Sequence, residues 1–231
     1  MNEDLEIETY IHISPNLFGI YLLNIKNLEN LYKEEMKLED GNNLINLEFF
    51  LANNIFKIEK LTGKFIKNIS LIIEHNKISN INFSLKKKNY EKNISKKYLE
   101  NIVIDAKDLF EENYQNEKIM HIIINKFIIN DKHYQTYEEN MIGDHLCLEI
   151  NFISISRDLG LEIEKILEKF QIRISKYLDK KYIINFFDRK ALELSNMAYQ
   201  IKTGINPNEV NLVPKTSNKT GFFEKFFQLF S

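Results

Sequence analysis

Cysteine is nearly absent from this chain. Cys147 is the only one, so no intramolecular disulfide can form, which fits a reducing compartment. Glycine is scarce too, with 7 in 231 residues. Phosphate-binding loops depend on glycine, because the backbone must approach the anion closely and present its N–H groups. No Walker-type loop, nucleophile elbow or paired metal-ligand spacing can be found. Charge of one sign is lacking: Lys and Arg number 31 against 33 Asp and Glu, for a net charge of −2. Such a balance provides no global basic field for nucleic acid. No apolar run reaches the roughly 18–20 residues of a membrane span, and the longest, such as Ile122-Ile123-Ile124, are strand-sized. Met1-Asn2-Glu3-Asp4 is acidic, with neither a basic nor an apolar leader region, so no secretory signal is expected.

Hydrophobic residues nonetheless make up 44% of the sequence, enough to fill a core. Ile7 to Ile13 and Phe18 to Ile25 read as strands joined by a Ser14-Pro15-Asn16 turn, and Leu31 to Leu38 as a third. Leu44, Leu47, Phe50, Leu51, Ile55, Ile58 and Leu61 share helical spacing, and Gly63 stands where a helix ends. Ile69 to Glu74 is a buried-type strand, whereas Ile81, Phe83 and Leu85 alternate with polar residues. Lys86-Lys87-Lys88 reads as a solvated turn. Ser95 can cap a helix carrying Leu99, Ile102, Val103, Ala106 and Phe110. Ile119 to Ile129 and His145 to Ile155 read as strands on either side of a polar loop, Asn130 to Gly143. A third helix bears Leu159, Ile163, Ile166, Leu167 and Phe170, followed by a short strand at Ile172 and Ile174. Residues 179–203 are expected to be partly helical. Residues 204–220, with two prolines and little periodicity, are expected to form a linker.

The most informative stretch is Gly221 to Ser231. On a helix, Phe222, Phe223, Phe226, Phe227 and Phe230 occupy one wide face, with Leu229 beside them, while Glu224, Lys225 and Gln228 take the other side. So short a helix is poor in water and needs a surface to fold against: its own core, a partner groove or a lipid interface. Fully burying one Phe is worth roughly 1.5–3 kcal/mol, and rings entering an interface partway gain less. Lys219 and Lys225 add about 1 kcal/mol each near an anionic leaflet, against which Glu224 acts. A single tail of this kind should exchange on and off a membrane, and stable residence would need several tails held together.

Candidate chemistry is sparse. His12, His75, His121, His133 and His145 are scattered, and none pairs with a carboxylate at helical spacing. His121, inside an apolar strand, reads as a hydrogen-bonded structural residue, and Cys147 as an inert thiol. No catalytic constellation emerges, so no enzyme activity, cofactor or metal is expected.

Three segments, taken in order, carry a family resemblance. Ile94-Ser95-Lys96-Lys97-Tyr98-Leu99-Glu100-Asn101-Ile102-Val103-Ile104-Asp105-Ala106-Lys107 reads as the opening of a helix, a capping serine followed by an apolar-spaced pattern that runs through Ala-Lys. Ile119-Met120-His121-Ile122-Ile123 follows as a strand, then Met141-Ile142-Gly143-Asp144-His145-Leu146-Cys147-Leu148-Glu149-Ile150 as a loop and strand. Leu159 to Phe170 with Gln171-Ile172-Arg173-Ile174 completes the set. Together they resemble FtsA, the actin-like bacterial division protein, most strongly across its inserted SHS2-type domain. The resemblance implies an α+β fold. Residues 1–68 would be a remnant of the actin-like amino-terminal subdomain and 69–178 the SHS2-like domain. A partly helical segment at 179–203, a linker at 204–220 and an amphipathic membrane-targeting helix at 221–231 would follow. PilM, the pilus-assembly relative, shares the inserted domain but lacks a comparable phenylalanine-rich tail.

Departures from the family bear on function. His12-Ile13-Ser14-Pro15 stands where FtsA has an Asp-Ile-Gly-Thr phosphate loop, and Pro15 removes a backbone donor. The second, glycine-rich phosphate loop has no counterpart, and His145 replaces the family's arginine. ATP binding and direct FtsZ binding are therefore not carried over. What the resemblance implies is a non-enzymatic division adaptor, peripheral on the inner face of the cytoplasmic membrane. Phe222, Phe223, Lys225, Phe226, Phe227, Leu229 and Phe230 would touch anionic inner-leaflet lipid. Met141, Gly143 and His145 would lie in a protein-interaction loop. Its partners would be division proteins and other copies of itself, with no nucleic acid. The alternatives are a PilM-like assembly scaffold, or a soluble interaction module whose aromatic tail docks into a partner groove.

Overall fold

The computed structural model describes residues 6–38, 44–187 and 192–210. The order of elements is β1 (Ile7–Ser14), β2 (Leu17–Asn24), β3 (Glu29–Lys37), α1 (Leu44–Thr62), β4 (Asn68–Ile73), β5 (Ile78–Lys88) and α2 (Lys96–Asn113). Then come β6 (Glu117–Ile129), β7 (Lys132–Tyr134), β8 (His145–Ser156), α3 (Arg157–Glu168), β9 (Arg173–Asp179), α4 (Lys180–Phe186) and α5 (Leu194–Lys202). The fold is α+β, and the chain divides into two compact units. Among the described residues, one comprises 6–38, 44–78, 156–187 and 192–203, and the second comprises 79–155, which interrupts the first in sequence, with 204–210.

The first unit is built on a five-stranded mixed sheet in the order β3-β2-β1-β4-β9. β1, β2 and β3 form an antiparallel meander, while β4 and β9 join parallel to β1. Strand alternation sends Tyr10, Tyr21, Leu23, Ile72 and Leu178 to one face, where they pack with Ile183 of α4 and Met197, Ala198 and Ile201 of α5. Ile11, Ile13, Ile20 and Leu71 point to the other side and are fully buried. There α1 lies against the sheet, with the Phe18 and Phe50 rings 6.2 Å apart. Gly63, at φ 67°, ends α1 and donates its amide to the Glu59 carbonyl at 2.8 Å. Asp179 caps α4 by accepting the Tyr182 amide at 3.0 Å.

The second unit has a four-stranded sheet, β5-β8-β6-β7, with α2 packed on it. Leu99, Ile102, Val103, Ala106 and Phe110 form the buried stripe of α2, and the Ser95 side chain accepts the Tyr98 amide. Phe110 stacks on Phe152 at 4.8 Å, and Phe83 meets Phe152 edge-on at 5.3 Å.

Three sequence expectations differ from this architecture. The stretch read as one domain, 69–178, is split, because β4, α3 and β9 belong with the amino-terminal strands. Ile69 to Ile73 is buried between two parallel neighbours, and a run that is apolar but for Ser70 carries no sign of which sheet it joins. The polar loop at 130–143 contains a further strand. Asn130 and Asp131 take positive φ (46° and 67°) and turn β7 back onto β6, while Tyr137 and Met141 enter the core. Residues 204–210, read as the start of a linker, are fixed to β6 in the second unit: Ile124 donates to Asn208 at 2.9 Å and Val210 to Ile122 at 2.8 Å. Their polar composition serves backbone pairing along a strand edge.

Candidate functional site

In open sheets with parallel strands, ligands gather at the carboxyl ends, where neighbouring strands lead the chain in opposite directions. Here that place is the end of β1 beside β4 and β9. Four features shape it. β1 passes into β2 through a two-residue turn, Pro15-Asn16, in which Pro15 has no N–H and the Ser14 hydroxyl donates to the Leu17 carbonyl at 3.1 Å. Lys180, at the start of α4, is held by Glu74 at 2.8 Å. The amino terminus of α4, which would favour an anion, is already capped by the Asp179 carboxylate. His12, three residues before Pro15 on β1, is 3% exposed, and neither ring nitrogen has a hydrogen-bond partner among the described residues.

The electrostatics follow from these positions. Burial pushes the His12 imidazole down to about 4, with the Lys180 cation adding to the shift and Glu74 partly opposing it. The hydrogen bond from Lys180 holds the Glu74 carboxyl below its ordinary value. His12 is thus a neutral ring near neutral pH. An anion here would meet a carboxylate cap, a neutralised lysine and a turn with a missing donor. Gly19, paired with His12 across the β1–β2 ladder, serves packing: a Cβ there would sit 2.5 Å from the Tyr21 hydroxyl.

A second concavity in the first unit, about 610 Å³, opens at the opposite, amino ends of the strands. Thr9, Ser70, Ser175, Lys67 and the Glu8–Lys202 ion pair (2.9 Å) line it, with Phe65 at its wall. Its polar groups are mixed in sign, and no acid–base pair converges there.

The loop residues picked out in the sequence occupy different roles in the second unit. Met141 is buried, and its carbonyl accepts the Ile94 amide at 2.9 Å. Gly143 is buried too: its amide donates to Lys92 at 2.7 Å and its carbonyl accepts from Asn89 at 3.1 Å. A Cβ on Gly143 would lie 2.3 Å from the Ile129 Cγ2. The backbone of Met141 and Gly143 therefore fastens this loop, and the exposed side chain between them is Ile142, at 70%. His145 is exposed and lines a shallow depression with Lys86, Asp131 and Cys147. Cys147 Sγ lies 3.2 Å from the Ser84 hydroxyl. His121 bonds through Nδ1 to Glu209 at 2.7 Å, both side chains being fully buried. Sequence reasoning missed this carboxylate because it stands 88 positions away in a segment without periodicity. The tail residues Phe222, Phe223, Lys225, Phe226, Phe227, Leu229 and Phe230 lie outside the described residues. Among the described residues, no helix is long and apolar enough to cross a membrane.

No family model matches the sequence, and no curated protein does. Solved structures give low-identity likenesses. One is the cytoplasmic domain of EpsL, an inner membrane component of the type II secretion system of Vibrio cholerae, at 8% identity over 77% of this chain and 57% of that one, with a TM-score of 0.38. Another is the PilM–PilN type IV pilus biogenesis complex, at 6% identity, 78% and 49% coverage, and a TM-score of 0.45. A third is a Bacteroides thetaiotaomicron protein of actin-like ATPase fold and unknown function, at 14% identity, 88% and 59% coverage, and a TM-score of 0.34. The chain spans less than two thirds of each of these proteins.

Proposed function

We propose that the chain is a non-enzymatic, FtsA-like adaptor that ties division components to the inner face of the cytoplasmic membrane through residues 221–231. The observation that carries the non-enzymatic half is the closed carboxyl end of the parallel strands. Pro15-Asn16, the Glu74–Lys180 pair and the Asp179 cap leave no cradle for a triphosphate. On this reading the sheet acts as a scaffold for protein contacts. The membrane half is supported by the spacing of five phenylalanines in the tail.

Two measurements test the reading. Full-length protein and a form lacking 221–231 are sedimented with anionic phosphatidylglycerol vesicles, and the truncated form is expected to stay in the supernatant. Sedimentation of both would refute the tail as the anchor. Thermal melting with Mg²⁺-ATP is expected to be unchanged, whereas a saturable upward shift would refute the non-nucleotide reading. Loss of partner pull-down by a Phe226→Asp, Phe227→Asp variant, with vesicle binding intact, would instead assign the tail to a protein groove.

A further inference from the structure

The outer face of α1 carries what a buried helix would hide. Phe49 is 67% exposed, Phe56 70%, Leu61 56% and, in the turn after the helix, Phe65 80%. Phe49 and Phe56 are seven residues apart, two turns along one stripe, with Lys60 one turn further on. The inner stripe of the same helix (Leu47, Leu51, Ile55 and Ile58) is already buried against the sheet. α1 is therefore apolar on two sides, and only one of them is accounted for by the core.

Lysines outnumber acids along the outer face of α1 and the turn after it. Lys57, Lys60, Lys64 and Lys67 are exposed beside Phe56, Leu61 and Phe65. Between Phe49 and Lys67 the only acid is Glu59, which is half-buried and accepts the Ile66 amide at 3.1 Å. Glu48, further back, is bound to Lys169 at 2.6 Å. On α3, which packs beside α1, exposed Glu162 and Glu168 stand against exposed Lys165, since Lys169 is taken by Glu48, and Leu161 adds a further exposed apolar side chain. Aromatic rings settle at the headgroup level of a bilayer, and lysines beside them meet anionic phosphates.

We infer that the outer face of α1, with the turn through Lys67, is a membrane-contact surface for anionic lipid, separate from residues 221–231. Phe49, Phe56 and Phe65 enter the headgroup region while Lys57, Lys60, Lys64 and Lys67 pair with phosphates. Two contacts on one chain fix the orientation of the first unit on the membrane and raise residence through effective concentration.

The chain has no tryptophan, so Phe56→Trp in the full-length protein places a single reporter on this exposed helix face. With phosphatidylglycerol-containing vesicles its emission should shift to the blue and be quenched by brominated lipid. With pure phosphatidylcholine, or in high salt, the shift should be lost. Adding Lys57→Gln and Lys60→Gln should weaken the vesicle titration about twenty-five-fold, at about fivefold per lysine. Unchanged emission while the protein sediments with the vesicles would overturn the inference and leave the tail as the contact. A blue shift that needs no lipid and grows with protein concentration would also overturn it, in favour of a second copy on this face. The same reporter in a Phe226→Asp, Phe227→Asp background separates the two surfaces. A surviving shift there supports the α1 surface and refutes the tail as sole anchor, whereas a shift lost with the tail substitutions would overturn α1 as a separate contact.

Discussion

Acidification from about pH 8 to about pH 5 should destabilise the first unit through one ring, that of His12. The imidazole is buried to 3% exposure on β1, and neither nitrogen has a hydrogen-bond partner among the described residues. Its pKa falls from 6.5 to about 4 on folding, chiefly because burial penalises the cation, with Lys180 adding repulsion. The unfolded chain therefore takes up the proton first. The contribution of His12 is fully present above the unfolded value, is lost as pH drops through the window from 6.5 to about 4, and then levels off. Across the whole window the loss is about 3 kcal/mol, and about 2 kcal/mol of it has gone by pH 5. That is a large part of an ordinary domain's stability.

The assay is urea denaturation across this pH range, comparing the native sequence with His12→Leu. The substitution removes two unsatisfied polar atoms from an apolar strand, so at pH 8 the variant should be at least as stable. As pH falls, the curves should separate by about 2 kcal/mol at pH 5, with the native chain the weaker. His75, also shifted down by burial and Lys77, acts in the same direction but is present in both proteins and drops out of the difference. Glu74 contributes only near and below its ordinary range, because its folded pKa is lowered. Parallel stability curves for the two proteins would refute the reasoning. They would mean that His12 is hydrated or paired in solution.

Gly143→Ala should destabilise the second unit by about 1–3 kcal/mol in denaturant melts, because the new methyl would overlap Ile129 in a loop already bonded on both sides. Glu209→Leu should cost about 3 kcal/mol or more, by leaving His121 buried without its carboxylate. The same change should expose residues 204–210 to limited proteolysis, whereas a linker would be cut equally in both proteins.

What the sequence disclosed, and what it withheld, divides along the range of the forces involved. Helical and strand periods are local, so the α1, α2 and α3 faces and the alternation of β8 were legible from Leu44 to Phe170. The Ser95 cap and the Gly63 terminus were legible for the same reason, since each depends on a few neighbouring residues. Membership of a sheet is not local. Ile69 to Ile73 looks the same whether it pairs with β1 or begins a new domain, and only the parallel register with Tyr10 to Ile13 decides. His121 was legible as a structural, hydrogen-bonded residue, but its partner sits in a stretch whose asparagines and proline describe a linker. Those asparagines make local turns, Asn206 through its side chain to the Asn208 amide, while the backbone beside them completes the β6 edge. The candidate site shows the same division. Pro15 announced a missing donor from sequence alone, but the neutralisation of Lys180 by Glu74 joins residues 106 positions apart, and no spacing rule contains it. An anion site is disfavoured in two ways here, by a missing donor within the loop and by a cation already paired with a carboxylate from the neighbouring strand. Placing glycines at 14–16 alone should therefore not create phosphate binding while Glu74 still holds Lys180.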